Sequence, residues 1–171
     1  VITQQPVAQL LEDRELVAAK WGLINHWTPA GKKVAGLINA RAEGIDKRPA
    51  FREAFLKRRC IVPADGFFEW TGPKEERRPL WFHRPDMGLF WFAGLYESWY
   101  PRPGVRERTF TIVTTRPNEV MRPIHDRMPV VLSEDQTDAW LNPSETDPSR
   151  LKKLLAPPPD ELLVYRPVSP L

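Results

Sequence analysis

Apolar and polar positions alternate with period two through the middle of the chain and follow a helical period at three places around it. Leu16 to Ile24 reads as a strand entering a tight turn. Residues 49–59 predict a helix, because Pro49 suits a first turn and Phe51, Ala54, Phe55 and Arg58 fall on one face. Cys60 to Trp70 predicts extended chain broken at Pro63 and Gly66. Leu80–Arg84, Leu89–Trp99 and Arg108–Arg116 are strand-like and rich in aromatic and β-branched residues. The connections Thr71–Pro79 and Tyr100–Glu107 carry the Gly, Pro and charge expected of hairpin loops.

The C-terminal third predicts helices. Ser133 with Gln136 three residues on is a capping-box signature before Trp140 and Leu141. Asp147-Pro148 offers an N-cap and first-turn pair before Leu151, Leu154 and Leu155, and Pro157-Pro158-Pro159 stops that helix. Leu162–Val168 predicts a last strand. The expected fold is α+β: a curled, barrel-like, mostly antiparallel sheet with flanking helices. No repeat or internal boundary interrupts it, so residues 1–171 predict one domain. Both ends are abrupt, which raises the expectation that the polypeptide continues beyond each.

Composition narrows the classes. The 171 residues are 42% hydrophobic, enough for a substantial core and against disorder. No apolar run has the length of a membrane span and no signal-peptide pattern opens the chain, so a cytoplasmic protein is expected, nucleoid-associated if bacterial. One cysteine, Cys60, rules out an internal disulfide, and His26, His83 and His125 have no familiar metal spacing; neither metal nor other cofactor is expected. A net charge of +3 permits a polyanionic partner without demanding one. Arginines with seven tryptophans and eight phenylalanines sharpen this, because single-stranded nucleic acid is bound by base stacking plus phosphate neutralisation.

Three polar segments lie among residues that otherwise read as core. Glu69, between Phe68 and Trp70, shares a strand face with Phe67; aromatic surface beside a carboxyl suits proton exchange near neutrality. The competing reading is a Glu on the solvent side of a half-buried strand. His125 stands in a proline-bounded, charged turn, where Asp126 or Arg127 can fix its tautomer and the ring can serve acid–base or oxyanion chemistry; alternatively it satisfies loop carbonyls. Asn39, Arg41 and Glu43 alternate, so a strand would present an amide, a guanidinium and a carboxylate on one face, to orient a nucleophile and hold a phosphate. A surface Arg–Glu pair is the plainer account. Cys60, in Arg59-Cys60-Ile61-Val62, reads as a buried structural residue, and His26 and His83 as supporting ones.

Taken in order, these strings resemble the SRAP family, the SOS-response-associated peptidase domains. The matching pieces are Trp21-Gly22-Leu23-Ile24, Ile38-Asn39-Ala40-Arg41-Ala42-Glu43, Arg59 to Trp70, Phe92-Ala93-Gly94-Leu95-Tyr96 and Ile124 to Val130, with a weaker match at Pro167-Val168-Ser169. The resemblance implies a monomeric protein that binds single-stranded DNA at abasic sites. It also implies a thiazolidine cross-link made by a cysteine at the mature N-terminus, and thiol autopeptidase activity. Carried onto this sequence, Glu69 would shuttle protons, His125 would polarise the opened sugar and Asn39 would orient the cysteine. Arg41 would hold a phosphate, and Trp21, Gly22, Leu23 and Trp27 would meet the displaced bases. Asn25 departs from the family's usual proline. The family's Cys-Gly-Arg-Phe start is not among these residues, so the chain as written lacks the nucleophile. A non-catalytic single-strand binder, or a peptidase with a secondary DNA role, are the alternatives.

Overall fold

A computed structural model describes residues 2–3, 14–73 and 75–169. Its centre is a long hairpin, β8 (Phe90–Arg102) and β9 (Val105–Thr115), closed by a turn in which Gly104 takes φ +76°. The antiparallel strands β5 (Arg59–Ala64), β1 (Ile2–Thr3) and β2 (Glu15–Leu16) add in that order beyond β8. On the other edge of β9, β3 (Lys20–Trp21) and β4 (Asn39–Arg41) lie end to end, both parallel to it. A second sheet holds β6 (Phe67–Thr71), β7 (Arg78–His83) and β11 (Val164–Pro167) in the order β11-β7-β6, all antiparallel.

The architecture is therefore mixed α/β and mostly antiparallel, but the expected barrel does not form. No pairing among the described strands joins β2 back to the β9 edge. The outer strands are two or three residues long and offer few hydrogen bonds for closure. The remaining strand-forming chain pairs into the separate three-stranded sheet instead.

The hairpin also parts. β8 and β9 are paired as far as Gly94 and Ile112, and beyond that point residues 128–132 enter between them. β10 (Met128–Pro129) pairs with Thr115 and Thr114, and Val130 N–H donates to Val113 O at 2.9 Å. On the β8 side Ala93 N–H donates to Val130 O at 3.0 Å and Leu132 N–H to Trp91 O at 2.9 Å. The wedge thus satisfies backbone groups that the separating strands would otherwise bury unpaired.

Among the described residues, three short helices cover one face. α1 (Arg52–Lys57) is shorter than the expected 49–59, since Pro49 and Ala50 form a turn and Arg58 leaves helical geometry at φ −137°. α2 (Glu134–Leu141) has both hydrogen bonds of the Ser133–Gln136 capping box, and α3 (Pro148–Lys153) starts on Asp147, whose carboxylate accepts from Ser149 N–H. Arg59 is fully buried beneath them. Its guanidinium donates to Phe55 O and Leu56 O at the end of α1, and to Trp140 O and Asn142 O at the end of α2. One cation thereby satisfies carbonyls that two helix C-termini leave open.

The core has two parts. Leu23, Ala40, Phe55, Ile61, Leu95, Val113, Trp140 and Leu151 pack beneath the helices. Phe82, Phe90, Phe92, Met121 and Met128 join the two sheets, with Phe67 and Ile124 against them. Pro63 does not break the chain as expected. It sits inside β5 opposite Trp91, beyond the reach of β1, which pairs only with Cys60 and Ile61, so its missing N–H leaves no ladder bond unmade on that edge. The break falls at Asp65-Gly66, where a side chain on Gly66 would meet Trp81 Nε1 at 2.2 Å. Among the described residues, no helix is long and apolar enough to cross a membrane.

Candidate active site

Strand β4 has three residues and pairs with β9 alone among the described strands, yet its alternation is strict. Ala40 is fully buried, while Asn39 and Arg41 on either side of it are exposed. Neither side chain has a hydrogen-bond or ion-pair partner among the described residues. The expected third member of this face is displaced: the strand ends at Arg41, and Glu43 lies in the turn that follows. There Glu43 accepts from Arg127 Nη1 at 3.0 Å, and this bond holds its carboxyl below the usual value.

His125 is placed by a helical turn. Asn118 caps it, its Oδ1 accepting from Met121 N–H at 3.1 Å, and the N–H groups of Ile124 and His125 both donate to Met121 O. The imidazole is exposed, and Arg127 N–H donates to Nδ1 at 3.0 Å. That contact leaves the proton of the neutral ring on Nε2. The Arg127 carbonyl, at 3.0 Å, and the Asp126 carboxylate, at 3.4 Å, are the acceptors when the ring is charged. The Arg127 side chain turns the other way. Its Nη2 donates to Thr114 O, which also receives Ala42 N–H at 2.9 Å. Asn39, Arg41 and the His125 turn thus converge on the last residues of β9.

Glu69 comes from the smaller sheet. It is half-buried on the same face of β6 as Phe67, as its spacing predicts. Phe67 and Ile124 both pack against the core cluster that contains Met121 and Met128, so the Glu69 strand and the His125 turn border the same apolar cluster. Among the described residues the Glu69 carboxylate has no hydrogen bond or ion pair, and none links it to His125, Asn39 or Arg41. The structure joins the Asn39 and His125 segments by hydrogen bonds, and the Glu69 segment to them by apolar packing.

Beside Asn39 a loop closes on two glycines. A side chain on Gly36 would meet Gly22 O at 2.3 Å, and Gly22 has φ +113°. Leu23 and Leu37 exchange backbone bonds across this crossing, at 2.9 and 3.0 Å. Trp21 Nε1 donates to Ile38 O at 2.8 Å, fixing an indole that remains 53% exposed. Trp27 is 51% exposed, whereas Leu23 is 1% exposed and Gly22 is buried, so the two tryptophans carry the surface open to a ligand. Asn25 has its own use here: Nδ2 donates to Ala50 O at 2.8 Å, and its carbonyl accepts from Thr28 N–H at 2.9 Å. Trp99 Nε1 holds Thr28 O at 2.9 Å, and Gly31 N–H holds Pro101 O at 2.9 Å.

Cys60 is fully buried, and burial pushes its thiol up, as a structural residue requires. His83 stacks on Trp81 at 4.3 Å and contacts Arg84 O. Two features are not evident from local sequence. The Arg127 side chain is a clamp, which a turn crowded with charge conceals. Glu97 is buried at 1% exposure and bound by Arg58 and His26, and its alternation with Leu95 and Trp99 in β8 is the one signal that it faces inward.

An open, mostly antiparallel mixed sheet with few helices also describes solved structures. A protein from Bordetella bronchiseptica superposes with a TM-score of 0.81 at 26% identity, covering 98% of this chain and 83% of its own. One from Bacteroides thetaiotaomicron gives 0.78 at 32% identity, over 87% and 67%. The chain belongs to the SOS response associated peptidase (SRAP) family, whose model matches residues 1–171. The abasic site processing protein YoaM of Bacillus subtilis is 43% identical over 161 residues, 92% of this chain and 71% of that protein. The abasic site processing protein HMCES of Xenopus tropicalis is 29% identical over 180 residues, 92% of this chain and 53% of that protein.

Proposed function

We propose that this protein acts in the DNA-damage response, binding single-stranded DNA at abasic sites and linking to them through a cysteine at its mature N-terminus. The observation that carries this reading is the pair Asn39 and Arg41, exposed and without side-chain partners among the described residues, beside the turn that holds His125. The names of the relatives as abasic site processing proteins support it. A free guanidinium is suited to a phosphate, and a free amide to orienting an amine or thiol. The cysteine amine attacks the ring-opened aldehyde, water leaves as the imine forms, and the thiol adds to the imine carbon as its proton passes to nitrogen. Glu69, half-buried and unpartnered, is the group to give and take those protons, while His125 Nε2–H stabilises the opened sugar oxygen. Cys60 is closed to this chemistry, which favours non-covalent binding for these 171 residues taken alone.

The test is a denaturing gel. A form of the protein with an N-terminal cysteine ahead of these residues, incubated with single-stranded DNA carrying one abasic site, is expected to give a shifted band. The band should require that cysteine and form or reverse abnormally in Glu69→Gln; no band with the cysteine intact would overturn the covalent reading. In Arg41→Ala, stability should stay within about 0.5 kcal/mol of the parent, because the exposed side chain makes no hydrogen bond or ion pair among the described residues. Its single-strand affinity should fall, with the log–log salt slope shallower by about 0.7 for one phosphate contact.

A further inference from the structure

The glycine-closed loop carries a charged arrangement that the chemistry above does not use. His26 Nδ1 lies 3.2 Å from Glu97 Oε2, and the Glu97 side chain on β8 is 2% exposed. The other Glu97 oxygen accepts from Arg58 Nη2 at 2.8 Å, and Arg58 Nη1 reaches Glu53 of α1 at 3.1 Å. The charged groups facing His26 are therefore Glu97, Arg58 and Glu53. Two carboxylates share the Arg58 guanidinium, and one of them, Glu97, also lies against the imidazole.

The ring is also aimed. It stands edge-on to Trp27, with centroids 4.9 Å apart and planes at 81°, and its side chain is 44% exposed. With Nδ1 committed to the buried carboxylate, the Nδ1 proton stays on the ring in both charge states. The other nitrogen, Nε2, lies on the far side of the ring and has no partner among the described residues. It is an acceptor in the neutral ring and a donor in the charged one. A donor beside an exposed indole, on a loop that also carries Lys32 and Lys33, suits a strand whose base lies on the indole and whose backbone passes the ring.

We propose that His26 is a phosphate-binding residue of this protein: as imidazolium, backed by Glu97, it donates Nε2–H to a backbone phosphodiester of a strand stacked on Trp27. The inference rests on the single-strand reading above and adds to it a contact and a proton. A strand that binds while the ring is neutral draws one proton from solvent onto Nε2, and the resulting charge is shared between the phosphate and Glu97.

The test uses the 171-residue chain and a fluorescent oligothymidylate without lesions, read by anisotropy at constant ionic strength from pH about 5.5 to about 8.5. The parent protein should bind about tenfold more tightly at the acid end, relative to His26→Gln, whose amide still donates to Glu97 but carries no charge. At the acid end its log–log salt slope should exceed that of His26→Gln by about 0.7. Identical pH profiles and salt slopes in the two proteins would overturn the inference and leave single-strand binding standing. Absence of binding in both would overturn both readings. A pH dependence that survives in His26→Gln and is lost in His125→Gln would also reject it. As a check free of substitution, the His26 ring signals in NMR should titrate at higher pH with the strand bound than without it; an unmoved midpoint contradicts the proposal.

Discussion

Arg127 and Glu43 meet at 3.0 Å, 84 residues apart in sequence, where the His125 turn passes the end of β4. The same guanidinium binds Thr114 O, so one side chain ties the wedge, the sheet edge and the turn. The two bonds respond differently to acid. The Glu43 carboxyl titrates below its usual value in the folded protein, chiefly because of Arg127. Its stabilisation is therefore complete above the unfolded value of about 4.3 and disappears as pH falls through the lower folded one. Glu43 is 60% exposed, so Glu43→Gln should cost only a few tenths of a kcal/mol at neutral pH and nothing in strong acid. Arg127→Met should cost about 1 kcal/mol, and part of that loss should persist in acid, because the bond to Thr114 O does not titrate. Urea unfolding at the two pH values reads both.

The Gly22–Gly36 crossing predicts a steep penalty for one methyl group. Gly36→Ala would force a carbon to within 2.3 Å of Gly22 O, and backbone rather than a flexible side chain has to yield. A loss of about 2 kcal/mol is expected, with Trp21 more accessible to acrylamide quenching. An unchanged melting temperature would mean that the two segments separate freely.

Cys60 predicts chemical silence. Its thiol is buried and raised by that burial, and it is the single cysteine of the chain, so maleimide labelling is unambiguous. The native protein should remain unlabelled on a timescale that modifies a denatured sample fully. Rapid native labelling would reopen Cys60 as a nucleophile.

Much of the fold is legible in the amino-acid sequence itself. The capping box at Ser133, the Asp147-Pro148 start and the strands of the central hairpin follow from local chemistry, which neighbours leave unchanged. So does the placement of Glu69 on the face of Phe67, a matter of strand parity. What is not legible depends on partners distant in sequence. Pro63 reads as a breaker because a sequence does not show that its edge of β5 goes unpaired. Glu43 reads as a third member of the Asn39 face because local alternation shows neither that the strand stops at Arg41 nor that Glu43 is bound by Arg127, far along the chain. A barrel follows from strand count, whereas closure depends on the length of the edge strands. Leu23 resembles a base contact by its position in a motif, and the core claims it.

The wedge of residues 128–132 has a mechanical meaning. Backbone bonds on both sides anchor the segment just after His125, so withdrawing it would strip hydrogen bonds from β8 and β9 at once. The histidine is therefore mounted on the frame of the molecule rather than on a lid, and its freedom ends at Met128. A ligand that comes to this surface meets a histidine whose mounting is tied into both strands of the central hairpin.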